Sequence, residues 1–295
     1  MPPLVSVMIP CYNATKSIPW TLASLLSQTY TNWECIIVDD GSKDNPKAII
    51  DLISDERIKF YRFEKNRGRG AARQQALDMA RGDYLCMLDS DDWIYPWKIQ
   101  RQVEYMENHP ELAVLSTGMA IVDGNNDVAG VRGHRSDQDS YTLFDPMQNP
   151  DAPSISFAPS MLRADIAKKF RFDTKFKIAE DKDFLLRILM ENSYGLIHDV
   201  LYVYAEIDSI TLDKITSSLR NNRRMYLKYL TSFPTKSLKK YIASYGKEMI
   251  YRSAFLAGYG DSLINRRSSE PTIKQKEDFE TARQIVMQTY HQIFP

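Results

Sequence analysis

Three groups of carboxylates stand out by their spacing. Asp89, Asp91 and Asp92 occupy three of the four positions after the apolar run Tyr84-Leu85-Cys86-Met87-Leu88. Asp39 and Asp40 follow a second apolar run, Trp33 to Val38, and Glu180-Asp181 precede a helix-periodic stretch with Phe184, Leu185, Ile188 and Leu189. Like charges a few ångströms apart repel, and burial raises their pKa unless a cation or hydrogen bonds compensate. A hard divalent cation bound through oxygen is the simplest compensation. Mg2+ or Mn2+, with substrate phosphates completing the shell, fits such a pair best. An acidic, solvated turn is the competing reading of any one group. Only convergence of several groups decides against it.

The elements around these residues supply that convergence. Leu4 to Ile9 is an apolar, β-branched run closed by Pro10, which predicts a first strand. Cys11-Tyr12-Asn13 follows, with no glycine-rich phosphate loop, so a dinucleotide fold of the G-x-G-x-x-G kind is disfavoured. The pattern then predicts a helix over 17–29 (Ser17 as cap, Pro19 in the first turn), a strand over 33–38 and a helix over 44–53. A strand over 58–62, a turn over 66–70, a helix over 71–80 and the strand Tyr84–Leu88 come next. Alternating strands and helices with short connections predict an α/β fold whose parallel sheet is covered on both faces. Ligands of such sheets bind beyond the carboxyl ends of the strands. Tyr12, Asp40, Asp89 and Asp91 all fall there, so one crevice can collect them.

Beyond this unit the pattern predicts a helix over 96–108, a strand over 112–118, a polar surface loop over 123–140 and a strand over 154–161 that reaches the crevice. Acidic residues in a first helical turn are often only dipole partners or caps. That reading suits Asp183 better than Glu180 and Asp181, which are expected ahead of the helix body.

The composition, 43% hydrophobic and 26% charged, is that of an ordinary globular protein. No stretch reaches about 18 consecutive apolar residues, so no transmembrane helix is expected. The first residues lack a basic region and a cleavage site, so no signal peptide is expected. Cys11, Cys35 and Cys86 lie in or beside predicted strands, where a reduced cysteine is a small hydrophobe, and a cytoplasmic setting follows. The zero net charge hides an asymmetry: residues 1–213 hold 23 Lys+Arg against 32 Asp+Glu, and residues 214–267 hold 12 against 2. A boundary near 213 is therefore expected, with 1–213 as one domain and 214–295 as a basic helical extension. In that extension Leu238, Tyr241, Ile242, Tyr245 and Met249 follow helical spacing among Lys236, Lys239, Lys240, Lys247 and Arg252. Two readings stay open for it: peripheral contact with an anionic membrane, or a stripe packed on the main domain.

Four motifs in order and spacing carry a family resemblance. They are Val5-Ser6-Val7-Met8-Ile9-Pro10-Cys11-Tyr12-Asn13, Ile37-Val38-Asp39-Asp40-Gly41-Ser42, Asn66-x-Gly68-x-x-x-x-Arg73 and Leu88-Asp89-Ser90-Asp91-Asp92, with Glu180-Asp181 as a fifth. The chain resembles the inverting glycosyltransferases of family 2, which have the GT-A fold, a Rossmann-like sandwich around a mostly parallel sheet. The resemblance implies transfer of a hexosyl or N-acetylhexosaminyl group from a nucleotide-diphosphate donor, UDP-linked by expectation. The acceptor would be a hydroxyl of a glycan or lipid-linked molecule in surface polysaccharide synthesis. Pro10, Tyr12 and Asn13 would line the nucleotide pocket, with the Tyr12 ring against the base, where stacking is worth roughly 1–3 kcal/mol. Asp40 would accept the base N–H, and Asn66, Gly68 and Arg73 would close the pocket. Asp89, Ser90 and Asp91 form the D-x-D signature. Asp91 would hold Mn2+ or Mg2+, Asp89 would hold the ribose or share the metal, and Asp92 would support them. Asp181 would be the general base, with Glu180 as runner-up. Where the family often carries Arg or His and then Ser, this chain has Tyr204-Ala205-Glu206-Ile207-Asp208-Ser209, a departure that bears on leaving-group stabilisation. The extension matches no family pattern, and no nucleic-acid partner is expected.

Two other functions fit parts of the pattern. A phosphohydrolase could use Asp89 as nucleophile and Asp91 as acid/base at a strand end. Such enzymes usually carry the pair on their first strand with a small residue two places on, whereas here it follows the fourth strand and Trp93 fills that place. A non-catalytic nucleotide-sugar binding protein with a working basic tail is the other.

Overall fold

Strand β1 (Val5–Cys11) is the line from which the sheet is laid out in the computed structural model, which describes all residues except 124–125, 134–139, 151–152, 177, 206–210, 261–267 and 295. The sheet runs in the order β3 (Ile58–Arg62), β2 (Trp33–Asp39), β1, β4 (Tyr84–Met87), β9 (Met161–Arg163), β6 (Val114–Val122), β10 (Tyr194–Ala205) and β5 (Trp93–Ile94). Strands β7 (Val128–Arg132) and β8 (Tyr141–Phe144) pair with β6 and β10. Strands β1, β2, β3, β4, β6 and β10 run in one direction, and the others oppose them. The chain steps from β1 out to β3 and returns to the other side of β1 with β4. Crevices form where the strand order reverses in this way.

Strict alternation explains the two cores. Val5, Val7, Ile9 and Cys11 of β1 point to one face with Cys35, Ile37 and Cys86, while Met8, Ile36, Val38, Leu85 and Met87 point to the other. The first face is covered by α1 (Ile18–Leu26), α4 (Lys98–Asn108) and the last helix, α9 (Ile273–Ile293). The second is covered by α3 (Arg69–Met79) and α6 (Glu180–Leu189), with the short α5 (Ala164–Ala167) beside them. A parallel region covered on both faces needs apolar residues at every position, and β1, β2 and β4 are buried throughout. The three cysteines are buried and free.

Several expectations are corrected in detail. The helix over 44–53 is only α2 (Pro46–Ile50), and the Ser17 hydroxyl donates to the Ala14 carbonyl instead of capping α1. Part of the supposed loop over 123–140 is β7, a hairpin partner of β6 that buries Val131. The stretch 154–161 reaches the crevice as irregular chain, with only Met161 in a strand. Pro159 cannot donate to a ladder. The carbonyls of Ser156 and Pro159 instead accept from the side chains of Ser116, Ser160 and Gln102.

Helix α7 (Leu212–Lys228) docks on α6 through Phe176, Leu186, Met225, Tyr226 and Tyr229. Helix α9 returns to the main core, its Tyr290 ring 5.6 Å from Trp20 and its Phe279 ring 5.5 Å from Trp93. Between them, α8 (Pro234–Leu256) lies on α7 and leaves Leu238, Ile242, Tyr245 and Met249 exposed, so that stripe is not packed on the main domain. Among the described residues no helix is long and apolar enough to cross a membrane.

Candidate active site

At the carboxyl end of β1, Pro10 is in register with Val38 and buried, and Tyr12 emerges 42% exposed. Asn13 has a positive φ of 53°, which asparagine tolerates better than most residues. Its amide donates to Ser42 Oγ at 2.8 Å and its Oδ1 accepts from the Lys43 amide at 2.8 Å, so the ends of β1 and β2 are tied together. Asp39 is buried and accepts from the Ser42 amide at 2.9 Å. Asp40 holds the next loop: its two oxygens accept from the amides of Arg67 (2.6 Å) and Gly68 (2.9 Å). Gly41 makes that approach feasible. Its φ is +70°, and a Cβ there would lie 2.7 Å from the Lys65 carbonyl carbon. Asn66 stands exposed on the loop, and Gly68, at φ +91°, is the N-cap from which α3 starts.

Arg73, one turn into α3, is only 2% exposed. Its guanidinium donates to Asp89 Oδ1 at 2.9 Å and to Glu180 Oε1 at 2.7 Å, with Asp181 Oδ2 at 3.5 Å. Burial works against its charge, but Asp89, Asp181 and Glu180 more than offset this and hold its pKa above the ordinary value. One buried cation therefore joins the end of β4 to the start of α6. The Phe157 ring lies 5.8 Å from it. The sequence motif marked Arg73 as closing the nucleotide pocket; its grip on the Glu180-Asp181 pair, 107 residues away for Glu180, has no local signal.

The three carboxylates after β4 occupy different surroundings. Asp89 is partly exposed beside Arg73, and Ser90 is half-buried. Asp91 reaches solvent, yet the protein around it and then the Asp89 charge push its pKa up. Asp92 is buried, accepting from the Tyr202 hydroxyl at 2.6 Å and the Ala205 amide at 3.2 Å. Burial, then Asp89 and Asp91, hold it well above the usual carboxylate range. Its place is to lock the turn onto β10.

Glu180 and Asp181 lie within the first turn of α6 instead of ahead of it. The preceding Ala179 is left-handed at φ 72°, a strain of roughly 1–2 kcal/mol of the kind that clusters at functional sites. Glu180 is 1% exposed, its Oε2 without a hydrogen-bond partner among the described residues, and burial pushes its pKa up, Arg73 opposing and Asp181 adding to the rise. The Asp181 side chain is 37% exposed. Asp183, expected to be a cap or dipole partner, is a buried latch: it binds Arg187 Nε at 3.0 Å, Lys228 Nζ at 2.9 Å and the Tyr229 hydroxyl at 3.0 Å, fixing α6 to α7.

A cavity of about 530 Å3 opens over Arg73, Asp89 and Asp181. Its walls include Arg69, Lys182, Ile155, Phe157, Tyr202 and, from α7, Ser218 and Asn222. Tyr12, Asn13, Asp40, Asn66 and Asp91 do not line it. The structure thus forms two adjoining parts, an open edge at Tyr12 with Asp40 buried beneath it and a cavity around Arg73, bridged by α3. Residues Glu206 to Ser209, where the family pattern departs, lie outside the described residues. The cavity residues from 155–158, β10 and α7 had no readable motif, because apolar runs and loops carry no signal of what they face.

Hard oxygen donors at Asp91 and Asp89 suit Mg2+ or Mn2+. Among the described residues no three His, Cys, Asp or Glu side chains converge to hold a metal alone.

The glycosyl transferase family 2 model matches residues 6–171, and the chain belongs to that family; it is a glycosyltransferase. The uncharacterized glycosyltransferase MJ1057 of Methanocaldococcus jannaschii is 30% identical over 210 residues, 68% of this chain and 70% of that protein. The Escherichia coli UDP-Glc:alpha-D-GlcNAc-diphosphoundecaprenol beta-1,3-glucosyltransferase WfgD is 36% identical over 127 residues, 43% of this chain and 49% of that protein. Among solved structures, S. aureus TarS 1-349 in complex with UDP-GlcNAc superposes with a TM-score of 0.62 at 20% identity, covering 97% of this chain and 81% of that one. The mannosyltransferase PcManGT of Pyrobaculum calidifontis, in complex with GDP-Man and Mn2+, gives 0.59 at 15%, covering 99% and 87%. At these identities the likeness is one of fold, of the GT-A type.

Proposed function

We propose that the chain is a metal-dependent, inverting transferase that moves a sugar from a UDP-linked donor to a hydroxyl of a glycan or lipid-linked acceptor in surface polysaccharide synthesis. The carrying observation is the cavity in which one buried arginine holds the D-x-D aspartate Asp89 and the acidic pair Glu180-Asp181 together. The WfgD relative, named for a UDP-Glc donor and a diphosphoundecaprenol acceptor, supports the donor and acceptor classes. Residues 1–213 would form the catalytic unit, its cavity wall completed by Ser218 and Asn222, and 214–295 an extension with peripheral contact to an anionic membrane on its cytoplasmic face.

Inversion needs one carboxylate to take the proton of the incoming hydroxyl from the side opposite the leaving group. Asp181 is the better base because it faces the cavity, while Glu180 lies beneath it against Arg73. The Arg73 pairings fix the distance between the base and the donor side, the kind of positioning that lowers a barrier without joining the chemistry. Tyr12 offers a stacking face to the base, and Asp40 sets the 66–68 loop over it while keeping lone pairs for a base N–H. A divalent cation held by Asp91 and Asp89 would neutralise charge developing on the leaving diphosphate.

The test is a donor panel scored by metal-dependent hydrolysis. Turnover of a UDP-sugar that needs Mn2+ or Mg2+ and is lost in Asp91→Ala supports the reading. Hydrolysis of a generic aryl phosphate instead would favour the phosphohydrolase, and tight UDP-sugar binding without transfer or hydrolysis a binding protein.

A further inference from the structure

Helix α8 is odd among the long helices of this fold. A helix on a core shows its apolar residues to the core and its charges to water. The residues that α8 buries are the small, polar Ser237 and Ser244, on the side that meets α7. That side is fixed by Arg223 of α7, which donates to Glu248 Oε2 at 2.8 Å and lies over the Tyr245 ring at 4.2 Å. The large apolar residues point away, apart from the one face of Tyr245 that Arg223 covers. Leu238, Ile242, Tyr245, Met249 and Leu256 recur at intervals of four, three, four and seven residues, which places them along one line of the helix. They are between 48% and 88% exposed. An apolar groove beside Leu230 and Pro234 continues the line at its start.

The charges of the same helix select the occupant. Lys236, Lys239, Lys240 and Lys247 are its lysines, and Glu248 is its one acidic residue. That carboxylate is engaged by Arg223 and Arg252. Two copies meeting through this stripe would give the lysines, which lie mostly on the opposite, polar face, no opposite charge to meet, whereas an anionic lipid surface complements them. The helix is not apolar enough to cross a bilayer, so it would lie in the interface with the stripe down and lysines reaching phosphates.

We infer that α8 is the membrane-surface helix of this protein, its Leu238–Leu256 stripe entering the interface of an anionic bilayer. The inference rests on the proposed lipid-linked acceptor for its purpose only. Helix α7, on which α8 lies, gives Ser218 and Asn222 to the cavity wall, and Asn222 Oδ1 accepts from Lys182 Nζ at 3.2 Å. Seating α8 therefore sets the cavity beside the leaflet that would carry such an acceptor.

The experiment is co-sedimentation of the full chain with phosphatidylcholine vesicles, with or without phosphatidylglycerol, at low and high salt. No donor, acceptor or metal is present, so a failed transferase reading leaves the result interpretable. The expected result is binding to the anionic vesicles that falls with salt. It should weaken at least tenfold in Ile242→Glu/Met249→Glu and about fivefold for each lysine changed to Gln. Circular dichroism and melting of each variant confirm that its fold is kept, which the exposure of these side chains favours. No binding to anionic vesicles, or binding indifferent to Ile242→Glu/Met249→Glu, overturns the inference. So does a stable dimer by light scattering that the same double substitution splits.

Discussion

The two ends of the central sheet treat their carboxylates in opposite ways. At the amino end, Glu34 near the start of β2 accepts from Ser6 Oγ at 2.8 Å, Lys59 Nζ at 2.8 Å and Arg81 at 3.0 Å. Burial alone would raise it, but Lys59, the Arg81 amide, Ser6 and the Arg81 guanidinium overrule burial and hold its pKa at about 2. At the carboxyl end, Asp91, Asp92 and Glu180 are all pushed up, first by burial and in each case also by a neighbouring carboxylate. One end spends its charges on holding strands together. The other leaves like charges crowded around one buried cation, Arg73, with Arg69 at the rim, the pattern of perturbed carboxylates that marks functional sites more often than finished salt bridges.

That contrast can be broken by substitution. The largest stability effect is expected at Arg73, because removing it leaves the buried Glu180 with only Arg69 at 3.9 Å: Arg73→Met should cost about 3–5 kcal/mol in a denaturant melt. A loss under about 1 kcal/mol would mean that the carboxylates are satisfied some other way. Next comes Glu34→Gln, expected to cost about 2 kcal/mol at pH 7. Glu34 has a depressed folded pKa, so its contribution is complete above the ordinary value of 4.5 and drains away as pH falls towards about 2. Melts of both proteins should therefore converge on acidification; a gap that stays constant would contradict the assignment. The smallest effect is expected for Asp40→Asn, which keeps one acceptor oxygen for the loop amides and should cost about 1 kcal/mol. Calorimetry with UDP should show a larger relative loss there than at Glu34.

Much of this was legible before any coordinates. Strands β1 to β4 announced themselves because a buried parallel strand is a continuous apolar run, and the aspartates follow those runs directly. What stayed hidden depends on partners far along the chain. Nothing near Arg73 says that it binds Glu180, and Asp183 reads as a cap because its partners Lys228 and Tyr229 come 45 and 46 residues later. Strand β7, only Val128 to Arg132 with Gly130 at its centre, was hidden by the polar stretches on either side of it, which look like a loop until β6 supplies a ladder. The α8 stripe was visible as a period, but whether it met the core or solvent is a tertiary fact.

The cavity reading turns on which carboxylate takes the acceptor's proton. Turnover and UDP affinity, measured together for Asp181→Asn and Glu180→Gln, test it most directly. A general base contributes on the order of 10²–10⁴ in rate. Asp181→Asn should lose turnover on that scale with UDP affinity unchanged, and Glu180→Gln should keep the larger part of both. Retained turnover in Asp181→Asn, with collapse in Glu180→Gln, would contradict the account and move the chemistry to the buried residue.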